Sequence, residues 1–253
     1  MSLLKELYEP YILPARARLS TDGVIRRLGD ATLEPHVLER FFIQYHALGV
    51  YMTEPLESWV RREGQRCLMQ GLDSLGKGLL AQARQEAQQH VMLTDDLRLL
   101  VRRWNLRRSG PLHSERLLAQ FPTDAMRDWR LLVEDTLTGE PPGAQIALAY
   151  EVGHFIQTVG PVLLAHVARG LGRETIDGLT YLKENSQPAT GRAITQARMM
   201  EELLRTMPEN AQVLAELGTE MINIHLRFLE DCLQSAEAAL WSQPPAAPHR
   251  PPH

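Results

Sequence analysis

The sequence predicts an all-α fold, and three observations carry that prediction. Aromatic residues make up only 6% of the chain, and the alternating β-branched runs that mark strands are hard to find. Leu, Ala, Glu, Arg and Gln, which favour helices, fill long segments instead. Within those segments apolar residues recur at the three-and-four spacing of a helix face, and Gly and Pro sit mostly between them.

Taken in order, this pattern predicts helices near 33–48, 54–65, 74–105, 123–138, 143–170, 173–185, 189–207 and 209–241. The first holds the run FFIQYHALGVY around His46. The second opens at Thr53-Glu54-Pro55, where the charge of Glu54 would meet the positive end of a helix dipole. The third carries a long stripe, Leu79, Ala83, Glu86, His90, Leu93, Leu97, Leu100 and Trp104. Ser109-Gly110-Pro111 marks 106–122 as a loop, and Gly-Glu-Pro-Pro-Gly does the same for 139–143. The fifth helix, through AQIALAYEVGHFI, is apolar almost all round, as a helix in the middle of a bundle should be. Pro188 fits a first helical turn after Asn185-Ser186, so a helix restarts there. The last helix includes MINIHLRFL around His225. From Ser242 on, five prolines in twelve residues predict a disordered tail, so the chain divides into a helical bundle over 1–241 and a tail over 242–253.

A formal charge of -4, from 27 basic and 31 acidic residues, argues against nucleic acid or an anionic membrane as partner. Two cysteines, Cys67 and Cys232, form neither a zinc-knuckle spacing nor a disulfide framework, which points to reduced thiols and a cytoplasmic setting. The first twenty residues carry Lys5, Glu6, Glu9, Arg16 and Arg18, leaving no room for a signal-peptide core. No later stretch reaches membrane-spanning length.

Chemistry is expected where polar residues take positions reserved for the core. Glu86 and His90 interrupt the stripe of the third helix, and Glu151 and His154 lie one turn apart inside the apolar fifth. A carboxylate buried there must find a partner, because desolvating it alone costs several kcal/mol (about 3–5 when a pair is broken). Two Glu/His pairs on separate core helices match the way bundles hold dinuclear iron or manganese. The count itself decides nothing: with 21 Glu and 9 His in 253 residues, chance gives about 1.5 such pairs. Burial on apolar stripes is what points to a metal, and the competing reading is a Glu and a His bonded to each other or to a Tyr in an ordinary core. His46, Glu54, Glu220 and His225 are further single candidates. For His46 and His225 a core histidine bonded to a backbone carbonyl is the simpler reading.

Other chemistries find less support. GLDSLGKGLL lacks the spacing of a phosphate loop, no Gly-x-Ser-x-Gly elbow occurs, and Cys67 has no histidine close in sequence.

The segment LTYLKENSQPATGRAITQARMMEELLRTMPENAQVLAELGTEMINIHLRFLEDCL resembles the last core helices of the haem-oxygenase-like superfamily, in particular its non-haem iron oxidases and oxygenases. ARQEAQQHVMLTDDLRLL is similar to the family's earlier ligand helix, and YEVGHF to the helix giving the next carboxylate. The similarity spans roughly residues 40–235 and lies in the pattern of helices rather than in any one short motif. It implies a dioxygen-using oxidase or oxygenase acting on a small metabolite in a biosynthetic pathway. Glu86, His90 and Glu151 would be its ligands, with Glu184 and His154 completing a site for Fe(II), or Mn(II), and O2 would be the co-substrate. A second copy of the chain or an enzyme of the same pathway would be the protein partner.

The late helix departs from the family pattern. Where members show His, then Asp four on, then His three further on, this chain has Glu184, Pro188 and Gly191. Pro188 and Gly191 carry no ligand atoms, so at most one metal position should survive, built where Glu86, His90 and Glu151 converge on one interior cavity. Two other readings remain open. One is a non-catalytic relative acting as partner subunit or binding module. The other is a metal-free enzyme of the same fold acting through Glu151, Tyr150 and His154. Haem fits less well, since His36 or His46 would have to serve as proximal ligand and the fifth helix offers only Gly153 and Gly160 for close haem approach.

Overall fold

The computed structural model describes residues 2–108, 110–185 and 191–241, and among them every regular element is helical. The tail over 242–253 and Pro188 lie outside the described residues.

The chain opens with a π-helical turn, Leu4–Tyr8, that runs into α1 (Glu9–Leu19); α2 (Gly23–Gly29) follows, capped by Asp22, whose Oδ1 accepts from the Val24 amide at 2.9 Å. The sequence pattern did not predict these elements. Pro10 and Pro14 interrupt it, yet Pro10 stands in the first turn of α1 and Pro14 is exposed to solvent.

Next come α3 (Pro35–Thr53), α4 (Leu56–Met69), α5 (Asp73–Glu86) and α6 (Gln89–Arg107). Glu54 therefore closes the C-terminal end of α3, its amide bonded to the Val50 carbonyl, instead of opening a helix. The stretch 74–105, expected as one helix, breaks at Ala87–Gln88. Its first half packs against α4 and its second against α3, so the two halves answer to different neighbours. Glycine makes the first contact close: a Cβ on Gly76 would lie 2.8 Å from the Gly64 carbonyl oxygen of α4. Because of the break, Glu86 ends one helix and His90 stands in the first turn of the next.

After α7 (Ser114–Leu118) and α8 (Asp124–Thr138), α9 (Gln145–Leu171) runs through the middle of the molecule. The segment expected as one helix over 173–185 divides at Leu179 into α10 (Arg173–Gly178) and α11 (Thr180–Asn185). Asp96, buried on α6, causes the division: its two oxygens accept from the amides of Thr180 and Tyr181 at 2.9 Å each and cap a new helix. The last elements are α12 (Gly191–Thr206), a 3-10 turn at Pro208–Asn210 and α13 (Ala211–Trp241). With 31 residues, α13 is roughly 46 Å long. It packs against α1, α3, α8 and α9, and α12 lies on α9.

Candidate functional site

The bundle encloses a cavity of about 110 Å³. Tyr45 of α3, Trp59 of α4, Trp129 of α8, Phe155 of α9 and Phe228 of α13 give it an aromatic wall. Gln82 and Glu86 of α5, Gln89 of α6, Tyr181 and Asn185 of α11 and Arg192 of α12 give it a polar one.

Glu86 anchors the polar wall. Arg192 Nη2 lies 2.6 and 2.8 Å from its two oxygens, and Gln82 Nε2 donates to it at 3.1 Å. Arg192 Nη1 also donates to Asn185 Oδ1 at 3.2 Å, and Asn185 Nδ2 donates to Gln89 Oε1 at 3.1 Å. These bonds tie α5, α6, α11 and α12 together at one end of the cavity. Two buried amide atoms among the lining residues have no partner: Gln82 Oε1 and Gln145 Nε2. Each is the sort of group that a bound molecule would satisfy.

His225 faces the same cavity from α13, its ring edge-on to Trp129 at 5.1 Å and beside Phe155 at 5.4 Å. Burial pushes its pKa down to about 4, so the ring is neutral at ordinary pH. Nδ1 lies 3.0 Å from the Met221 carbonyl, so it carries the proton and leaves Nε2 as an acceptor. Burial raises the Tyr181 phenol to about 12, with Arg192 pulling it down and Glu86 pushing it up more weakly. Tyr45 is raised well above its usual range by burial, then by Tyr181. Both phenols stay protonated, so each has an O–H to donate.

The second carboxylate singled out in the sequence, Glu151, is fully buried and does not line this cavity. Arg16 of α1 reaches it with Nε 3.0 Å from Oε2 and Nη2 2.5 Å from Oε1, and the Tyr8 hydroxyl donates to Oε1 at 3.0 Å. The need for a partner was legible in the sequence; the partner's identity was not, because Arg16 lies on a helix the pattern missed. Tyr150 and His154 flank this pair. Burial, then the Arg16 charge, lowers the pKa of His154.

The expected convergence of Glu86, His90 and Glu151 is not found. His90 is half-buried, does not line the cavity, and its Nδ1 has no hydrogen-bond partner. Glu184 is exposed and lines an outer groove. Among the described residues no three His, Cys, Asp or Glu side chains gather closely enough to hold an ion. The donor set also opposes Fe(II) or Mn(II) on charge: a cation on either buried carboxylate would meet a guanidinium already at hydrogen-bond distance.

The other single candidates have ordinary partners. His46 Nδ1 lies 2.7 Å from the Phe42 carbonyl, as in a core histidine, and Nε2 lies 3.5 Å from Asp96 without a hydrogen bond among the described residues. Glu220 is an exposed partner of Arg227, and Glu54 lies 3.8 Å from Arg130. Cys67 and Cys232 are buried free thiols, and burial followed by the Glu63 charge raises Cys67 to about 12, too high for a thiolate nucleophile. Sequence reading missed Arg192, Gln82, Asn185 and Tyr181, the residues that build the polar wall. The only signal they left was that a buried Glu86 needs a cation or several donors.

Comparison with solved structures shows the fold: the chain is a haem-oxygenase-like helical bundle. A domain of unknown function with a heme oxygenase-like fold from Shewanella denitrificans superposes with a TM-score of 0.64 over 94% of both chains, at 14% identity. A TenA homolog from Pseudomonas syringae pv. tomato gives a TM-score of 0.65 at 16% identity, over 92% of this chain and 93% of the other. No protein-family model matches the chain, and no curated protein does. At these identities the likeness is one of fold. No described helix is long and apolar enough to cross a membrane.

Proposed function

We propose that this chain binds one small, planar organic molecule in its central cavity and works without a metal ion. The observation that carries this reading is an aromatic-walled cavity whose lining residues include two glutamines, Gln82 and Gln145, each with a buried amide atom that has no partner among the described residues. Such a lining is greasy on its faces and specific at a few polar points, which is the usual character of a small-molecule site. Its volume, about 110 Å³, is of the scale that admits one ring, since an apolar cavity of about 150 Å³ holds benzene. The ring would stack against Trp129, Phe155 or Phe228, and its polar edge would meet Nε2 of His225 or the free amide atoms. The ionisable groups lining the cavity are Glu86, Arg192, His225, Tyr45 and Tyr181, so hydrogen bonding and proton transfer are the chemistry it offers. An iron oxidase would need a ligand cluster, and the pairing of Glu86 with Arg192 and of Glu151 with Arg16 speaks against one.

The test is a titration with phenol and with pyridine, read by NMR. Both should shift the Trp129 indole and His225 imidazole signals. Ala149→Leu adds bulk at a residue lining the cavity and should abolish those shifts while the melting temperature stays level or rises. Absence of shifts in the wild type, or shifts that survive Ala149→Leu, would overturn the reading.

A further inference from the structure

We propose that the groove outside the Arg192 wall is an outer subsite of the same cavity, and that the ligand carries there a neutral or cationic hydrogen-bonding tail. This deepens the cavity reading above and rests on it. The groove has a volume of about 520 Å³ and is lined from α5, α6, α9, α11 and α12. It shares Gln89, Val152, Ile156, Asn185 and Arg192 with the cavity, so these side chains form the partition between the two spaces. Val152 and Ile156 of α9 give the partition an apolar side, and Gln89, Asn185 and Arg192 a polar one. The polar side is held by the bonds from Arg192 to Glu86 and Asn185, and from Asn185 to Gln89. The Arg192 side chain is 27% exposed and that of Glu86 2%, so Arg192 reaches in from the groove side. A molecule longer than one ring would fill the cavity and pass this partition into the groove.

The groove's lining sets the class of tail. Its polar groups are mainly uncharged amides, those of Gln85, Gln88, Gln157 and Gln196, which donate and accept equally. Two charges face it. Arg192 is neutralised by Glu86, whereas Glu184 is exposed and has no ion pair among the described residues. The remaining field is therefore negative and disfavours an anionic tail. Glu184, which the sequence suggested as a metal ligand, acts here as a charge filter at the rim. Gly153 makes room for one of the amides: a Cβ there would stand 2.8 Å from Gln196 Oε1, the far end of a flexible side chain that is otherwise buried. Gly153→Ala should push that amide into the groove with little cost to the fold.

The experiment compares phenol with tyrosol, tyramine and para-hydroxyphenylacetate by calorimetry on the full chain. They share a ring, and their tails end in a hydroxyl, an ammonium and a carboxylate. Tyrosol and tyramine should bind roughly three- to tenfold tighter than phenol, the gain of one or two net hydrogen bonds, and para-hydroxyphenylacetate should gain nothing. Gly153→Ala should shrink the ratio of tyrosol to phenol affinity toward one. Phenol binding with no gain from any tail, or a gain for the carboxylate equal to that for the ammonium, overturns the outer subsite and leaves the cavity reading standing. No binding of phenol itself overturns the cavity reading, and the subsite falls with it.

Discussion

Two buried glutamates in this bundle each hold an arginine, and they sit in opposite settings. Glu86 ends α5 at the edge of a cavity, and its partner Arg192 comes from a groove open to solvent. Glu151 sits within α9 against α1, and its partner Arg16 is only 10% exposed. Packing seals the second pair: a Cβ on Gly218 of α13 would lie 2.7 Å from the Tyr8 hydroxyl and 2.8 Å from Glu151 Cγ. Both glutamates show the same local pattern, a Glu followed by a His on an apolar face. One pair clamps the first helix to α9 and the other forms part of a cavity wall. Pattern and burial alone do not separate the two roles; access of solvent to the partner does.

The largest expected effect breaks the sealed pair. Arg16→Ala leaves a fully buried carboxylate with Tyr8 as its remaining donor, and should cost about 3–5 kcal/mol, read as a lower urea midpoint with an unchanged slope. An unchanged midpoint would mean that Glu151 is not held as described.

Next in size is a pH effect from the cavity side. Burial holds His225 at about 4 in the folded chain, against an ordinary value of 6.5. The unfolded chain takes up the proton first as pH falls, so this contribution is complete above about pH 7 and is lost between about 6.5 and 4. At about 1.4 kcal/mol per pH unit, the loss approaches roughly 3 kcal/mol. His154 and His166 are lowered by burial as well and tilt the curve the same way. The informative quantity is the difference between wild type and His225→Gln in urea unfolding at several pH values. That difference should grow as pH rises from 4 to 7, and a flat difference would place His225 in water.

The contrast also explains what the sequence shows and what it hides. The all-α fold and most of the long helices follow from apolar spacing, and the two carboxylates do lie in the core. Their partners are 106 and 135 residues away in sequence, beyond the reach of any spacing rule. The first helix escaped because Pro10 and Pro14 interrupt the pattern, and Arg16 escaped with it; the second, of 7 residues, is too short to show a period. The break at Ala87–Gln88 has no Gly or Pro to announce it; it follows from α5 and α6 packing against different helices. Reading that stretch as one stripe put Glu86 and His90 on one face and suggested a metal. The glutamine and asparagine side chains of the polar wall leave no mark in the sequence, because only tertiary packing turns them inward.

A smaller effect is expected on breaking the open pair. Arg192→Ala should cost about 1–2 kcal/mol, less than Arg16→Ala, because removing a partly exposed side chain lets water reach Glu86 and Gln82 still donates to it. A loss equal to that of Arg16→Ala would show that the wall is as sealed as the Glu151 pair.

The smallest effect is expected at His90, where the metal reading asked for the largest. Its imidazole is half-buried, and Nδ1 has no partner, so the folded chain already bears the cost of an unsatisfied nitrogen. His90→Leu removes that atom and puts an apolar side chain of similar size in the first turn of α6, while the backbone carbonyl still accepts from the Thr94 hydroxyl. Lost van der Waals contact and gained desolvation nearly cancel, so stability should change by no more than about 0.5 kcal/mol, in either direction. An anaerobic Fe(II) titration on the same two proteins makes the comparison decisive. With Glu86 held by Arg192 and Glu151 by Arg16, neither protein should bind the ion stoichiometrically. Stoichiometric binding by the wild type that His90→Leu removes would require both arginines to release their carboxylates and the α5–α6 break to close around a cation, and the open pair would then be a disguised metal site.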